Sequence, residues 1–397
     1  MLLKINKECL PEVIAGIGAH PDSLPIFSNK ASILPFKLFK VRTPAANIIK
    51  QEMLAAGGDA VTPAGAVVCA EKYVDILLLG TKKQYSLLFG KLERMQYFGI
   101  PGIVKELRVA LASKTPVTDL ADGRSITYEH MLVMGILNVT PDSFYEGSRV
   151  AGIEAVIKKA EQMLEDGADI LDVGGESTRP GSDSVGSSEE MARVVPAIAA
   201  LRRHFPETIL SVDTYRAATA SAAIGAGADI INDISALEAD KNMLDVVVQN
   251  NVPVILMHMR GTPKNMQQSC AYTDVVEEVA NYLYQRAQLL QERGVGYNKV
   301  ILDPGIGFAK NVQQNLLLMR DLGVLTSFGY PVLLAASRKS TIGAVLGGVG
   351  AEARLEGTIA TSLQAVYAGA HMVRVHDVKE NVRAIRMLEA ILCPKNF

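Results

Sequence analysis

Tryptophan is absent from the 397 residues, and low-complexity tracts are absent too. The four cysteines, Cys9, Cys69, Cys270 and Cys393, stand far apart with no C-x-x-C pair, which removes the spacing that a zinc knuckle or a dithiol redox motif requires. Basic runs are missing: 40 Lys and Arg balance 42 Asp and Glu to a net charge of −2, so nothing points to nucleic acid or a membrane surface as partner. No apolar run approaches the roughly 18 residues needed to cross a bilayer. The opening stretch mixes Lys4, Lys7 and Glu8 with Pro11 and Glu12, a poor signal peptide. A reduced cytoplasm is the expected compartment.

What is present is ordinary globular material, 49% hydrophobic and 21% charged. The length suggests two domains on a prior of roughly 100 to 200 residues each. From Leu132 onward, eight short β-branched apolar runs alternate with longer amphipathic stretches. They are LVMGILNV, ADILDVGG, TILSVDT, DIINDIS, VPVILMH, KVILDPG, PVLLAAS and MVRVHD. Strands alternating with helices pair in parallel, because each crossover returns the chain to the same end of the sheet. Eight units in about 260 residues predict a closed (β/α)8 TIM barrel. An open doubly wound sheet is the weaker alternative, since eight equivalent units account for the whole segment.

Residues 1–115 predict a small N-terminal α/β or α+β domain. Strand-like FKLFKV, helix-like ANIIKQEMLAAGG, strand-like AVVC from Ala66 and strand-like DILLLG are followed by two helical stretches. Its polar residues form no recognisable constellation. The turn-rich SKTPVTDLADGRS from Ser113 marks the boundary, with the barrel assigned to 116–397.

In a barrel, chemistry gathers where strands end at their carboxyl termini. Every run here exits into polar groups: Asn138, Thr140 and Asp142; Glu176, Thr178 and Arg179; Asp213; Asn232 and Asp233; His258; Asp303; Lys339 and Ser340; Arg374 and His376. Singly, many of these fit ordinary turn chemistry, as Asp303 before Pro-Gly does. Jointly they suggest a substrate with two unlike ends. Asp213, Asp303 and Asn232 match the donors and acceptors of a flat nitrogen heterocycle. Arg374, His376 and Arg179 suit a phosphate or pyrophosphate. Asn138, near Asp142, could hold a hard cation such as Mg²⁺ that phosphates complete. No nucleophile elbow of the G-x-S-x-G type occurs.

These residues lie in motifs that resemble the dihydropteroate synthase family over essentially all of 116–397: MGILNVTPDSF, DVGGESTRPGS, SVDT, INDI, LMHM, LDPGIGF, SRKS and RVHDV. The resemblance implies condensation of (7,8-dihydropterin-6-yl)methyl diphosphate with 4-aminobenzoate to give 7,8-dihydropteroate and pyrophosphate, a Mg²⁺-dependent transferase step of folate synthesis. It implies that Asp213, Asn232, Asp303 and Lys339 hold the pterin with Met257 beside it. Arg374, His376 and Asn138 would hold the diphosphate and its metal, and Thr178, Arg179, Phe308 and Ser340 would surround the aminobenzoate. Asp213, Lys339, Arg374 and His376 are the expected catalytic groups, in a homodimer. The sequence departs from the family pattern at Tyr145-Glu146, Ile306 and Ala309, none of which removes a polar site group. The competing readings are a methyltetrahydrofolate-binding corrinoid methyltransferase, which has no use for STRPG and SRKS, and a non-catalytic pterin-binding protein.

Overall fold

The computed structural model describes residues 2, 10–20, 22, 24–112, 115–139, 149–176, 185–262, 266 and 270–394. The chain divides into two compact units, Met1–Ser113 and Lys114–Phe397.

The first unit contains a three-stranded antiparallel sheet of β1 (Leu34–Arg42), β2 (Asp59–Val61) and β3 (Tyr73–Gly80), in the order β1-β3-β2. Alternation along β3 turns Val74, Ile76 and Leu78 inward. They meet Ile49 and Met53 of the helix Thr43–Ala55, and Tyr85 and Leu88 of the helix Lys82–Leu92. Thr81 and Gln84 close the start of that second helix with a capping box. The strand expected at AVVC does not form. Ala64–Ala66 is a 3-10 turn, Cys69 has φ +50°, and Val67 and Val68 are exposed. Both edges of β3 are already taken, by β1 and by β2 at Asp59–Val61, so β-branched composition alone finds no ladder to join.

The second unit opens with a hairpin, β4 (Val117–Asp119) and β5 (Ser125–Thr127), within the stretch read from sequence as a boundary. Eight parallel strands follow: β6 (Leu132–Asn138), β7 (Ile170–Gly174), β8 (Ile209–Asp213), β9 (Ile230–Asp233), β10 (Val254–Met257), β11 (Val300–Asp303), β12 (Leu333–Leu334) and β13 (Met372–Val375). Their order is β11-β10-β9-β8-β7-β6-β13-β12. A parallel bridge between Leu302 and Val332 joins the two ends of that order and closes the ring. Helices such as Ser187–His204 and Val275–Glu292 lie between strands, and Asp274 caps the latter by accepting from the N–H groups of Val276 and Glu277.

Strand alternation sorts the barrel into two faces. Outward residues, among them Leu171, Val173, Leu210, Val212, Leu256 and Leu302, form the larger core with the helices. Inward, Met134, Ile170, Ile230, Ile255, Ile301, Leu333 and Met372 make an apolar layer near the amino ends of the strands. Leu120, Ile126 and Tyr128 of the hairpin region pack onto that layer as a floor. Two residues further along four of these strands the inward positions turn polar, at Asp172, Asn232, Asp303 and Arg374.

Candidate active site

That second inward layer and the strand ends above it carry the predicted residues. Asn138 ends β6, Asp213 ends β8, and Asn232 lies in β9. Met257 and Asp303 end β10 and β11 and are register partners. Arg374 lies in β13, with His376 just beyond it. Phe308 stands in the loop after β11, and Lys339 and Ser340 open the six-residue helix Ser340–Val345 after β12. Thr178 and Arg179 lie outside the described residues, as do Asp142 and the Tyr145-Glu146 departure.

The organising group is Asp172, in the middle of β7, which sequence reasoning placed in a motif without giving it a role. It is fully buried. Its Oδ1 accepts from Ser211 Oγ at 2.6 Å, and its Oδ2 from Asn232 Nδ2 at 3.1 Å and Arg374 Nε at 2.5 Å. Arg374 Nη2 donates in turn to Asp213 Oδ2 at 2.6 Å. One guanidinium therefore bridges two carboxylates from neighbouring strands, with β7 and β8 in register at Gly174 and Asp213. This spends Nε and Nη2 of Arg374 on protein groups. An incoming anion meets a fixed guanidinium rather than a mobile one. The signal for Asp172 was available in ILDVG: a carboxylate in the centre of a buried strand must be paired.

Burial governs the ionisation of this layer. Desolvation raises the Asp213 carboxyl well above the ordinary carboxylate range, against the pull of Arg374. Asp303, which accepts from the Gly305 N–H at 2.7 Å, is raised for the same first reason, with Lys339 opposing. Lys339 is pushed down to about 8 by desolvation, with Asp303 pulling the other way. Its Nζ donates to the Ile306 carbonyl and sits 4.7 Å from the centre of the Phe308 ring. Phe308 packs with Met257, Ile234 and Met266, so the pocket joins an apolar wall to a charged floor.

Three further placements refine the sequence reading. His376 holds Ser337, its Nδ1 lying 3.0 Å from Ser337 Oγ and its backbone N–H donating to the same oxygen. Arg338 of the SRKS motif, with φ +55°, turns aside to pair with Asp377. Arg216 donates to Glu176 Oε2 at 2.5 Å and to the Val185 carbonyl at 2.6 Å, tying together the two residues that flank 177–184.

Gly174 keeps a notch open at the mouth. A Cβ there would lie 3.5 Å from the Asp213 Cβ and 3.6 Å from Asn138 Oδ1. Among the described residues no three His, Cys, Asp or Glu side chains are grouped to hold a metal. The protein offers a hard oxygen at Asn138, beside that notch. Such a donor fits Mg²⁺ that arrives on a diphosphate and keeps phosphate and water oxygens around it.

Known proteins resemble this chain in sequence and in fold. The model of the family described as pterin binding enzyme matches residues 134–376. Dihydropteroate synthase of Escherichia coli K12 is 43% identical over 275 residues, 69% of this chain and 96% of that protein. The chain belongs to the dihydropteroate synthase family of pterin-binding enzymes. The Bacillus subtilis dihydropteroate synthase is 45% identical over 264 residues, 66% of this chain and 90% of its own length. The solved structure of the Xanthomonas albilineans synthase with 4-aminobenzoic acid superposes with a TM-score of 0.65 at 40% identity, covering 70% of this chain and 99% of that one. The Burkholderia cenocepacia synthase complexed with 7,8-dihydropteroate gives 0.63 at 38% identity, covering 72% and 99%.

Proposed function

We propose that this family member is a dihydropteroate synthase, joining (7,8-dihydropterin-6-yl)methyl diphosphate to 4-aminobenzoate with release of pyrophosphate. The observation that carries the reading is the buried polar layer. Asp172, Asp213 and Asp303 face Arg374 and Lys339, an excess of one negative charge when all are ionised. Such a layer suits a ring that becomes cationic as its diphosphate leaves. Asp213, Asn232 and Asp303 read the pterin edge, and Lys339 lies beside it with Met257 against its face. Arg374 and His376 stand at the diphosphate end, where charge grows on the leaving group. Phe308, Ser340, Thr178 and Arg179 receive the aminobenzoate, whose amine attacks the methylene carbon and then loses a proton.

Asn138 would hold Mg²⁺ against the diphosphate, and the ion would supply Lewis-acid neutralisation of the leaving oxygens. The chain's own part is to orient, to exclude water and to fix opposing charges; no side-chain nucleophile is required. Balanced composition and the absence of any membrane-crossing helix among the described residues support a cytoplasmic enzyme, and the family resemblance supports a homodimer. The unit 1–113 contributes no group to this reading, and we assign it a stabilising or docking role rather than a second activity.

Purified protein, mixed with the dihydropterin diphosphate, 4-aminobenzoate and Mg²⁺, should form dihydropteroate, followed by mass, in step with pyrophosphate. Lys339→Ala and Asp213→Ala should abolish turnover while remaining folded. Tight pterin binding without product would reject the synthase in favour of a binding protein.

A further inference from the structure

Lys310 lies outside every role assigned above, yet it is 2% exposed. Its Nζ donates to the carbonyls of Phe308 at 2.8 Å, Gly305 at 3.0 Å and His258 at 3.2 Å, with His258 Nδ1 at 3.0 Å. Three carbonyl acceptors match the three N–H bonds of an ammonium group. Among the described residues no carboxylate is hydrogen-bonded to it; backbone carbonyls make the contacts, and Asp303 acts on it at longer range. Burial draws its pKa below that of an ordinary lysine, against the pull of Asp303, and burial, with Lys310 and Arg260 nearby, draws down the His258 imidazole as well.

The backbone explains why so many carbonyls converge. Gly305, Gly307 and Ala309 all have positive φ, at 70°, 84° and 53°. Every second residue of the turn is thus left-handed, and the chain coils around the lysine. The packing is close: a Cβ at Gly305 would lie 2.1 Å from the His258 carbonyl oxygen. Ala309, at φ 53°, adopts a conformation that a residue with a side chain rarely takes, so something must hold the turn in place. The same turn presents the Ile306 carbonyl and the Phe308 ring to Lys339. One lysine therefore grips the turn from inside, and the other docks on it from the pocket.

We propose that Lys310 is a positioning residue: its buried amino group pins the turn Asp303–Lys310 to the end of β10, and thereby sets the Ile306 carbonyl and the Phe308 ring on which Lys339 is seated. This rests on the synthase reading for its kinetic consequence, but not for its structural one. Lys310 touches neither substrate and acts through Phe308 and Lys339.

Two measurements on the full chain separate these parts. In steady-state assays, Lys310→Met should raise the KM for both substrates by about tenfold while kcat changes by less than about threefold, because ground-state placement is what is lost. In a double-mutant cycle with Lys339→Met, read as the Kd of the dihydropterin diphosphate by calorimetry, the double variant should bind no worse than Lys339→Met alone. Independent, multiplicative losses, or unchanged KM values in folded Lys310→Met, would overturn the proposal. Acetic anhydride labelling of Lys339 in the unliganded protein, read by peptide mass, needs no turnover. It should quicken by about tenfold in Lys310→Met as the seat is lost, and unchanged labelling overturns the proposal whether or not the wild type makes dihydropteroate. If Lys310→Met does not fold, Lys310→Gln, which keeps two N–H donors on a shorter stem, takes its place in the same measurements. Wild-type turnover alone decides the synthase reading.

Discussion

Asp172 shows what a single buried carboxylate does when three strands aim donors at it. Ser211, Asn232 and Arg374 come from β8, β9 and β13, and each is oriented by the bond it makes there. Replacing the carboxylate by an amide puts an N–H₂ where one of these donors must go and leaves Arg374 without half of its countercharge. Breaking a buried ion pair from one side costs about 3 to 5 kcal/mol. Asp172→Asn should therefore lower the unfolding free energy by about 3 kcal/mol in urea titrations. It should also cut kcat/KM by at least roughly a hundredfold, because a guanidinium displaced by about 1 Å would no longer face the diphosphate in the proposed reaction. A variant with wild-type kcat/KM would show that Arg374 is positioned by Asp213 alone.

At the scale of elements, periodicity made the barrel readable and also marked where reading stopped. Eight runs became eight parallel strands because each alternates an outward residue for the helices with an inward one for the barrel, and those two demands leave a period in the sequence. The predicted polar groups lie where the runs end for the same reason. Asp172 escaped because it sits within a run. The Lys310 cage escaped because carbonyl contacts are invisible in residue types. AVVC misled because a strand needs a free neighbour as well as β-branched residues. The hairpin β4–β5 was read as a connection for its turn residues, yet Ile126 and Tyr128 face the lower barrel layer. Arg124 also donates to the Glu207 carbonyl and to Asp229, before β8 and β9, and Asn298, before β11, donates to Asp119. The hairpin thus ties strand beginnings together, at the end of the barrel remote from the site. Ile126→Ala should cost about 2 to 4 kcal/mol of stability, as a large-to-small core change does. It should leave the KM for both substrates unchanged, and a raised KM would mean that the floor transmits strain to the mouth.

For the whole molecule, the same burial that shapes the site sets activity and stability against each other with pH. Lys339 ionises at about 8 in the fold and at about 10.5 when unfolded. Between those values the unfolded chain binds the extra proton, so the contribution of this group to unfolding free energy rises as pH increases. Below about 8 the folded protein carries a desolvated ammonium, which costs stability but is the form attracted to Asp303, and on the proposed function the form that faces the pterin. Asp213 also costs stability in its charged form, with the opposite dependence on pH. Its raised folded pKa means that stability falls as pH climbs above the ordinary carboxylate range, while the ionised form is the one that holds Arg374 and, on the proposed function, opposes positive charge on the pterin. The active charge state is thus the one the fold tolerates least. The kcat/KM profile should fall above pH 8, yet the Lys339 contribution to chemical stability should grow over pH 8 to 10.5. Urea unfolding of wild type and Lys339→Met across that range checks it: the stability difference between them should shift toward wild type as pH rises. A shift in the other direction would mean that the alkaline loss of activity is unfolding and not deprotonation of Lys339.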